Sequence, residues 1–339
     1  MSDTLADLAA AVPREVVERL RSARRILAVS HENPDGDTVG ATLAVVFLGE
    51  QLGIPVTPVC SDPIPGLYAF LPGVERFRTD PEADADYDLV VLSDTGSLER
   101  TGSVLQRHRP LFDRLPRVLV DHHASNVATG PLDWVDPAAA ATCEMTALIA
   151  VRLGVPLEAA GGALAANLMA GIVMDTATFA HPNATPRTLA VAAALLRAGA
   201  PLSDISRRLY RSKPNSQLRL FGRVLGRMEA SIDGRLVWST LLDEDLLATL
   251  AGPSESEGII DLLAQSDEAE VAILFKEVGA TTRISVRTKP GGVDATVLTG
   301  RFGGGGHARA AGATVEHALA PARDLVLAEA GRLASAVVR

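Results

Sequence analysis

Three consecutive residues, Asp121, His122 and His123, can all bind a metal ion or move a proton, and they directly follow an apolar run at 118–120. The carboxyl end of a buried parallel strand has this pattern when an active site lies on it. Adjacent histidines seldom serve packing, and an aspartate beside them can orient one imidazole by a hydrogen bond. The alternative is one hydrogen-bonded core histidine next to a surface histidine. We interpret the triplet as part of a metal site.

Three further apolar runs end in a residue that can bind a metal: the run at 26–30 precedes His31, that at 89–93 precedes Asp94, and that at 171–174 precedes Asp175. Each aspartate also has an ordinary explanation, because Asp94 could be a strand-end residue without function and Asp175 an N-cap or a member of a buried ion pair. A carboxylate at the end of an apolar run is, however, costly to bury without a cation or hydrogen-bond donors. The recurrence predicts a metalloenzyme.

Asp35 and Asp37 lie two residues apart, after the first of these runs and before a helical segment. From one turn they can point at neighbouring metal ions, since Pro34 stiffens the turn and Gly36 lets the backbone fold tightly. The competing interpretation is that Asp37 caps the following helix while Asp35 is solvated in a loop.

Together these carboxylates and imidazoles predict a binuclear site for Mn²⁺ or a similar ion. Zinc held by thiolates is disfavoured, because neither Cys60 nor Cys143 is near the cluster in sequence. Two metal ions about 3.5–4 Å apart that share a carboxylate are a common device for phosphoester hydrolysis.

Apolar strand-like runs alternate with helical segments through the first half of the chain. Strands at 26–30, 56–60, 89–93 and 118–120 are separated by helices, which predicts βαβ units and a doubly wound parallel sheet. From 138 to 209 the sequence is alanine-rich and almost wholly helical in pattern.

The periodicity changes after a break at 211–215. Strands are expected at 235–240, 270–275 and 282–287, between helical segments. We therefore predict an α/β protein with two domains: a catalytic domain at 1–210, a linker at 211–228 and a smaller domain at 229–339.

Composition limits the class of protein. The chain has 339 residues, 47% of them hydrophobic, with a formal net charge of −9 and two cysteines. The acidic balance disfavours long nucleic acid as a partner, and two cysteines fit a reducing compartment. The N-terminal sequence lacks a signal-peptide pattern, and the apolar stretch at 159–174 favours a buried helix over a membrane span. The expected location is cytoplasmic, without a membrane partner.

Four successive glycines end at His307, following Arg301. Glycine lowers the steric barrier to close backbone approach, so the amides of Gly304, Gly305 and Gly306 can converge on an anion. Arg287 suits bidentate phosphate contact, and His307 adds a donor. A glycine run can equally be a flexible loop, and Arg283, Arg301 and Arg309 can be surface charges.

The combined motifs resemble those of the DHH phosphoesterases. They are His31-x-x-Pro34-Asp35-x-Asp37, Asp94, Asp121-His122-His123-x-x-Asn126 and Asp175, in that order. The glycines before His307 and the following 310–312 segment resemble the DHH-associated C-terminal domain, and the layout is similar to the NrnA subgroup of nanoRNases and phosphoadenosine-phosphate phosphatases. One departure is Ala177, where many relatives have glycine.

This resemblance implies specific roles. One metal ion would be bound by His31, Asp35 and Asp94, and a second by Asp37, Asp94, His122 and Asp175. His123 would contact the scissile phosphate or protonate the leaving oxygen, with Asp121 orienting it. Asn126, Arg287, Gly304, Gly305, Gly306 and His307 would bind substrate, and the chain would form a homodimer.

The expected activity is metal-dependent hydrolysis of short oligonucleotides of two to five residues, of linear or cyclic dinucleotides such as pApA and c-di-AMP, and of 3′-phosphoadenosine 5′-phosphate, to mononucleotides. An inorganic pyrophosphatase or polyphosphatase would need a second domain rich in lysine and arginine, and the chain has only three lysines, Lys213, Lys276 and Lys289. A sensor that binds dinucleotide without turnover would have lost at least one metal ligand, and all of the expected ligands are present in the sequence. A structural partner protein has no use for buried acidic residues.

Overall fold

A computed structural model describes residues 4–337 of the chain, which divides into two compact units, Met1–Ser212 and Lys213–Arg339. The first unit contains a parallel sheet and the second a mixed sheet, each with helices. This architecture confirms the predicted α/β class with two domains.

The first unit has eight α-helices and five strands in its described part. In chain order they are α1 (Leu5–Ala9), α2 (Arg14–Ser22), β1 (Ile26–Val29), α3 (Gly36–Leu52), β2 (Val56–Val59), β3 (Leu89–Ser93), α4 (Ser103–Arg114), β4 (Arg117–Asp121), β5 (Asp133–Val135), α5 (Thr142–Leu153), α6 (Ala163–Asp175), α7 (Pro186–Arg197) and α8 (Leu202–Ser206).

The five strands are all parallel and lie in the order β2-β1-β3-β4-β5. Residues of β1, β3 and β4 are largely buried because helices pack on the sheet, which explains their nearly continuous apolar sequences. Parallel strands end at the same edge of a sheet, so the residues that follow β1, β3 and β4 are brought together there. The sequence did not predict β5, which is only three residues long.

Helix α3 is buried on nearly every side between the sheet, α5 and α6. The Asp35 carboxylate caps its first amides, and Gly53 with φ 71° ends it in the left-handed conformation. Gly40 allows a close helix approach, because an added Cβ would lie 2.5 Å from the carbonyl oxygen of Asn167.

Within residues 4–337, no single helix combines the length and apolar composition of a membrane span; α7 and Leu202–Arg211 meet that test only as a pair bent by 114°.

The second unit has five α-helices and six strands in its described part. They are α9 (Asn215–Leu225), β6 (Glu229–Ala230), β7 (Leu236–Leu241), α10 (Asp243–Thr249), α11 (Ile259–Leu263), β8 (Val271–Val278), β9 (Thr281–Thr288), α12 (Ala295–Gly300), β10 (Gly305–His307), β11 (Ala310–Val315) and α13 (Leu319–Val337). The sheet order is β10-β11-β9-β8-β7-β6, and only β7 and β8 are parallel neighbours.

The segment 211–228, predicted as a linker, contains α9. Leu220, Phe221 and Val224 of this helix are buried in an apolar core of the second unit together with Val237 of β7. One face of α9 is apolar and packs against the sheet.

The glycine run at 303–306 differs from an open loop. Gly305–His307 form an edge strand that pairs with Ala310–Gly312 of β11. The pairing is close, since a Cβ on Gly304 would lie 2.2 Å from the carbonyl oxygen of Gly312. Glycine is required there for backbone approach to another strand.

Candidate metal centre

The six side chains predicted to bind metal lie together in the first unit. They fall into overlapping groups whose ligand atoms are within 4.8 Å of one another: His31, Asp35 and Asp94; Asp37, His122 and Asp175; and Asp94, His122 and His123. Asp94 and His122 each belong to two groups, so the groups form one continuous cluster.

The fold explains why residues so distant in sequence meet. His31 follows β1, Asp94 follows β3 and His122 follows β4, at the carboxyl edge of the parallel sheet. The start of α3 contributes Asp35 and Asp37, and Asp175 is the last residue of α6. Asp94 has φ 58°, a left-handed conformation that non-glycine residues rarely adopt and that is concentrated at functional sites.

Asp35 serves two purposes. Its Oδ1 accepts hydrogen bonds from the amides of Asp37 and Thr38 at 3.0 and 3.1 Å, which caps α3. Its Oδ2 lies 3.9 Å from Nε2 of His31. The cap of α3 is therefore Asp35 rather than Asp37, and the second oxygen of Asp35 is directed at the cluster.

His31 is oriented toward Asp94. Its Nδ1 lies 2.7 Å from the carbonyl oxygen of Glu32, so Nδ1 carries the proton and Nε2 is free. Nε2 is 3.5 Å from Oδ2 of Asp94. Burial disfavours the charged imidazole, but the hydrogen bond to Asp94 and the nearby carboxylates outweigh it and raise the pKa of His31.

His122 lies among three carboxylates. Its Nε2 is 3.2 Å from Asp175 Oδ2, 3.4 Å from Asp94 Oδ1 and 3.9 Å from Asp37 Oδ2. On the other side of the ring, Nδ1 faces the carbonyl oxygen of Ala139 at 3.3 Å. Burial opposes protonation, but the hydrogen bonds to Asp175 and Asp94 raise the pKa of His122 to about 12.

Asp37 is fully buried, and backbone amides hold its carboxylate. It accepts hydrogen bonds from the amides of Thr142 at 2.6 Å and Cys143 at 2.9 Å, the first two residues of α5. Burial, followed by repulsion from Asp175 and Asp94, raises the pKa of Asp37 well above its usual value.

The electrostatics of the cluster fit divalent cations. Burial, opposed by the His122 hydrogen bond and reinforced by repulsion from Asp94, raises the pKa of Asp175 to about 6. Asp94 is different: burial opposes its ionisation, but hydrogen bonds from His122 and His31 lower its pKa. Buried carboxylates crowded in this way need compensating positive charge. Carboxylate oxygens mixed with imidazole nitrogens are donors that divalent metal ions accept, and none of the grouped side chains is a thiolate.

His123 is oriented by Asp121, which is not one of the clustered carboxylates. Its Nδ1 donates to Oδ1 of the fully buried Asp121 at 2.7 Å, and this hydrogen bond raises the pKa of His123 despite the opposing effect of burial. Its side chain is 35% exposed. The same Nδ1 lies 3.6 Å from Asp94 Oδ1, so His123 borders the groups that could bind metal.

Asn126 fixes Asp121. Its Nδ2 donates to Oδ2 of Asp121 at 2.7 Å and to the carbonyl oxygen of Thr95 at 3.1 Å, and its Oδ1 accepts from the amide of Val127 at 2.9 Å. Both ends of the amide are thus engaged within the protein.

Of the predicted substrate-binding residues of the second unit, Arg287 lies on β9, Gly305, Gly306 and His307 form β10, and Gly304 directly precedes β10. Gly305, Gly306 and His307 are exposed. Arg287 forms an ion pair with Asp261, with Nε 2.9 Å from Oδ1.

Sequence reasoning did not identify Thr142 or Gly171. Thr142 contributes its amide to Asp37 and its hydroxyl, at 3.1 Å, to Oδ1 of Asp94. Gly171 leaves room for Asp37, because an added Cβ would lie 2.4 Å from Oδ1. Neither has a local signal, since both belong to alanine-rich helical sequence.

Comparison with known proteins shows which families and relatives the chain is similar to. Residues 25–173 match the DHH family N-terminal domain, and residues 247–335 match the DHHA1 domain. A Thermus thermophilus protein named bifunctional oligoribonuclease and PAP phosphatase NrnA is 32% identical over 305 residues, covering 89% of this chain and 88% of that protein. A Bacillus subtilis protein of the same name is 27% identical over 306 residues, covering 89% and 92%.

Among solved structures, an exopolyphosphatase-related protein from Bacteroides fragilis has a TM-score of 0.84 at 20% identity, covering 96% of this chain and 98% of that one. At this identity the likeness shows the shared fold.

Proposed function

This chain belongs to the DHH family and has a DHHA1 domain, and on that premise we propose that it is a metal-dependent phosphoesterase acting on short nucleotides. The substrates would be oligonucleotides of two to five residues, linear and cyclic dinucleotides such as pApA and c-di-AMP, and 3′-phosphoadenosine 5′-phosphate. Relatives named as oligoribonucleases and PAP phosphatases support this class of substrate.

The position of Asp94 is the observation that carries the proposal. Its two carboxylate oxygens face different imidazoles, Oδ2 toward His31 at 3.5 Å and Oδ1 toward His122 at 3.4 Å. One carboxylate can therefore serve two cations. We assign one ion to His31, Asp35 and Asp94, and the other to Asp37, Asp94, His122 and Asp175, with Mn²⁺ as the proposed ion and Mg²⁺ or Co²⁺ as alternatives. When bound, such a pair lowers the pKa of water and stabilises charge on phosphoryl oxygens.

His123 is suited to act as the proton donor. Asp121 holds Nδ1–H, which leaves Nε2 free to face the scissile phosphate. The raised pKa favours the protonated imidazole. In hydrolysis a water oxygen forms a bond to phosphorus and releases one proton to solvent, the bond from phosphorus to the leaving oxygen breaks, and His123 gives its Nε2 proton to that oxygen. His123 then regains a proton from solvent.

Asn126 supports this role indirectly. Although the family resemblance suggests substrate contact, its side chain is engaged by Asp121, Thr95 and Val127. We therefore propose that Asn126 fixes Asp121, which in turn fixes the ring of His123.

Phosphate binding is also proposed for the second unit. The exposed residues Gly305, Gly306 and His307 offer backbone and imidazole donors, and Gly304 packs closely against Gly312 of β11. Arg287 would exchange Asp261 for a phosphate. For Arg287→Ala and His307→Ala we expect a higher KM with metal content retained; an unchanged KM in both would contradict this assignment.

The decisive experiment removes all metal, restores Mn²⁺ or Mg²⁺, and compares turnover. Substrates should be 3′-phosphoadenosine 5′-phosphate, pApA, c-di-AMP, a trinucleotide, inorganic pyrophosphate and a 24-mer. We expect the metal-free protein to be inactive and the short nucleotides to be cleaved fastest, since a net charge of −9 disfavours a long polyanion. Equal rates on the 24-mer and the dinucleotide would overturn the short-substrate proposal, and preference for pyrophosphate would make the chain a pyrophosphatase. Size-exclusion chromatography with light scattering tests the proposed homodimer.

A further inference from the structure

Arg100 brings a positive charge to the edge of the metal centre. It lies in the short helical turn Leu98–Thr101 that follows Asp94, and it is half-buried. Its Nη2 lies 3.4 Å from Nδ1 of His31. Its backbone carbonyl accepts the amide of Glu32 at 2.7 Å, which fixes the turn against the segment after β1.

The close approach of Arg100 to His31 is not a hydrogen bond. Nδ1 of His31 lies 2.7 Å from the carbonyl oxygen of Glu32, and a carbonyl oxygen can only accept. Nδ1 must therefore carry a proton, and this is also the tautomer that leaves Nε2 free for a metal. Two N–H donors then face each other, so His31 does not satisfy Arg100.

No carboxylate compensates the charge either. Within residues 4–337, no Asp or Glu oxygen lies within 4.0 Å of the Arg100 guanidinium. Neighbouring arginines in the same region are paired: Arg107 with Asp80 and Arg109 with Asp113. A half-buried guanidinium without an acceptor is unfavourable unless an anion arrives.

We propose that Arg100 binds a non-bridging oxygen of the scissile phosphoryl group. This inference rests on the proposed phosphoesterase function and adds to it a protein cation that supplements the metals. A guanidinium placed beside a transferring phosphoryl group stabilises the negative charge that develops there. The turn that carries Arg100 is fixed by its backbone before substrate arrives, and among residues 4–337 the guanidinium has no ion pair that must first break.

The test compares Arg100→Ala and Arg100→Lys with the wild-type protein. Arg109→Ala is the control, because it removes an arginine of the same region whose partner is a surface carboxylate. Three quantities are measured: Mn²⁺ affinity and stoichiometry by calorimetry, the affinity of the Mn²⁺-loaded protein for inorganic phosphate, and kcat and KM on pApA.

We expect Arg100→Ala to bind Mn²⁺ as the wild type does, to bind phosphate about tenfold more weakly, and to lose kcat by about 10²-fold. Arg100→Lys should have intermediate phosphate affinity and kcat, because lysine keeps the positive charge but lacks the planar guanidinium that donates two parallel hydrogen bonds. Wild-type phosphate affinity and kcat in Arg100→Ala would overturn the proposal. So would a loss of Mn²⁺ binding equal to the loss of activity, since Arg100 would then act only on His31. The phosphate titration requires no turnover, so it tests Arg100 even if every proposed substrate proves wrong.

Discussion

The carboxylate of Asp37 caps a helix that begins at Thr142, far along the chain. Oδ2 of Asp37 accepts the amide of Thr142 at 2.6 Å, and Ala141, the residue before α5, provides no side-chain cap of its own. A carboxylate at a helix N-terminus is stabilised by the free amides and by the helix dipole. Asp37 therefore joins the start of α3 to the start of α5 at the point where it faces the cation site. The geometry of the cation site consequently depends on how α3 and α5 pack.

Gly171→Ala should disturb this junction. The new Cβ would lie 2.4 Å from both Oδ1 of Asp37 and Sγ of Cys143, a distance that forces α6 or the carboxylate to move. We expect a loss of about 1–3 kcal/mol in the free energy of unfolding and weaker binding of the cation assigned to Asp37, measured by calorimetry with Mn²⁺.

Gly222→Ala in α9 is the matched control. This helical glycine has no atom within 4 Å of an added Cβ. Alanine there should stabilise the protein by about 0.5–1 kcal/mol. If Gly171→Ala behaved like Gly222→Ala, the close packing around Asp37 would have no bearing on metal binding.

Asp94→Ala should abolish turnover, because both cations lose a shared ligand. We expect the Mn²⁺ stoichiometry, measured on the dialysed protein by metal analysis, to fall below that of the wild type. Asp113→Ala on the surface of α4 provides a control for loss of a carboxylate. Substantial activity of Asp94→Ala at saturating Mn²⁺ would refute the bridging role.

The positions of the histidines and the aspartate at the strand ends could be predicted from sequence. His31, Asp94 and His122 each follow an apolar run long enough to identify a buried strand, and parallel strands bring their carboxyl ends to one edge. The order of these motifs was also sufficient to identify the DHH family, which the comparisons confirm.

Other parts of the site have no sequence signal. Thr142 acts through its backbone amide, a group that every residue except proline possesses, so its type does not reveal the contact with Asp37. The edge strand at Gly305–His307 could not be predicted from glycine, which has a low preference for strands; it forms because β11 offers a paired backbone. Strand β5 is too short for its alternation to be recognised.

Asp121→Asn should separate proton transfer from metal binding. Asparagine has the same shape, but its amide cannot accept hydrogen bonds from His123 and from Asn126 on both sides as the carboxylate does. We expect kcat to fall by about 10²–10⁴-fold with Mn²⁺ affinity and KM near wild type. A selective rise in KM would instead assign Asp121 to substrate binding.

Ala177→Gly should stabilise the loop after Asp175. Ala177, Thr178 and Phe179 have φ angles of 46°, 59° and 63°, three successive left-handed residues. This conformation costs an L-residue about 1–2 kcal/mol, whereas glycine adopts it freely. After the entropic cost of glycine is subtracted, we expect a gain of about 0.5–1 kcal/mol in the free energy of unfolding. Ala180→Gly, at a position outside the left-handed residues, should destabilise the protein, and a similar loss in both variants would contradict the strain argument.

Asp245→Asn tests an ion-pair network in the second unit. The Asp245 side chain is fully buried; Arg223 Nε lies 2.7 Å from its Oδ1, Arg227 forms a bidentate pair with it, and its Oδ2 accepts the amide of Leu242 at 3.0 Å. Burial alone would raise the pKa, but the hydrogen bonds from Arg227 and Arg223 outweigh it and lower the pKa of Asp245 to about 2.

Because the folded pKa lies below the unfolded value of about 3.9, Asp245 contributes stability above that pH, and the contribution is lost as pH falls toward 2. At pH 7 we expect Asp245→Asn to lower the free energy of unfolding by on the order of 2 kcal/mol, and the difference from wild type to shrink as the pH falls below about 4. A Trp134→Phe background leaves Trp238 of β7 as the only tryptophan, so its fluorescence reports on the second unit. A difference that stayed constant between pH 7 and pH 3 would show that Asp245 stabilises the fold by packing rather than by its charge.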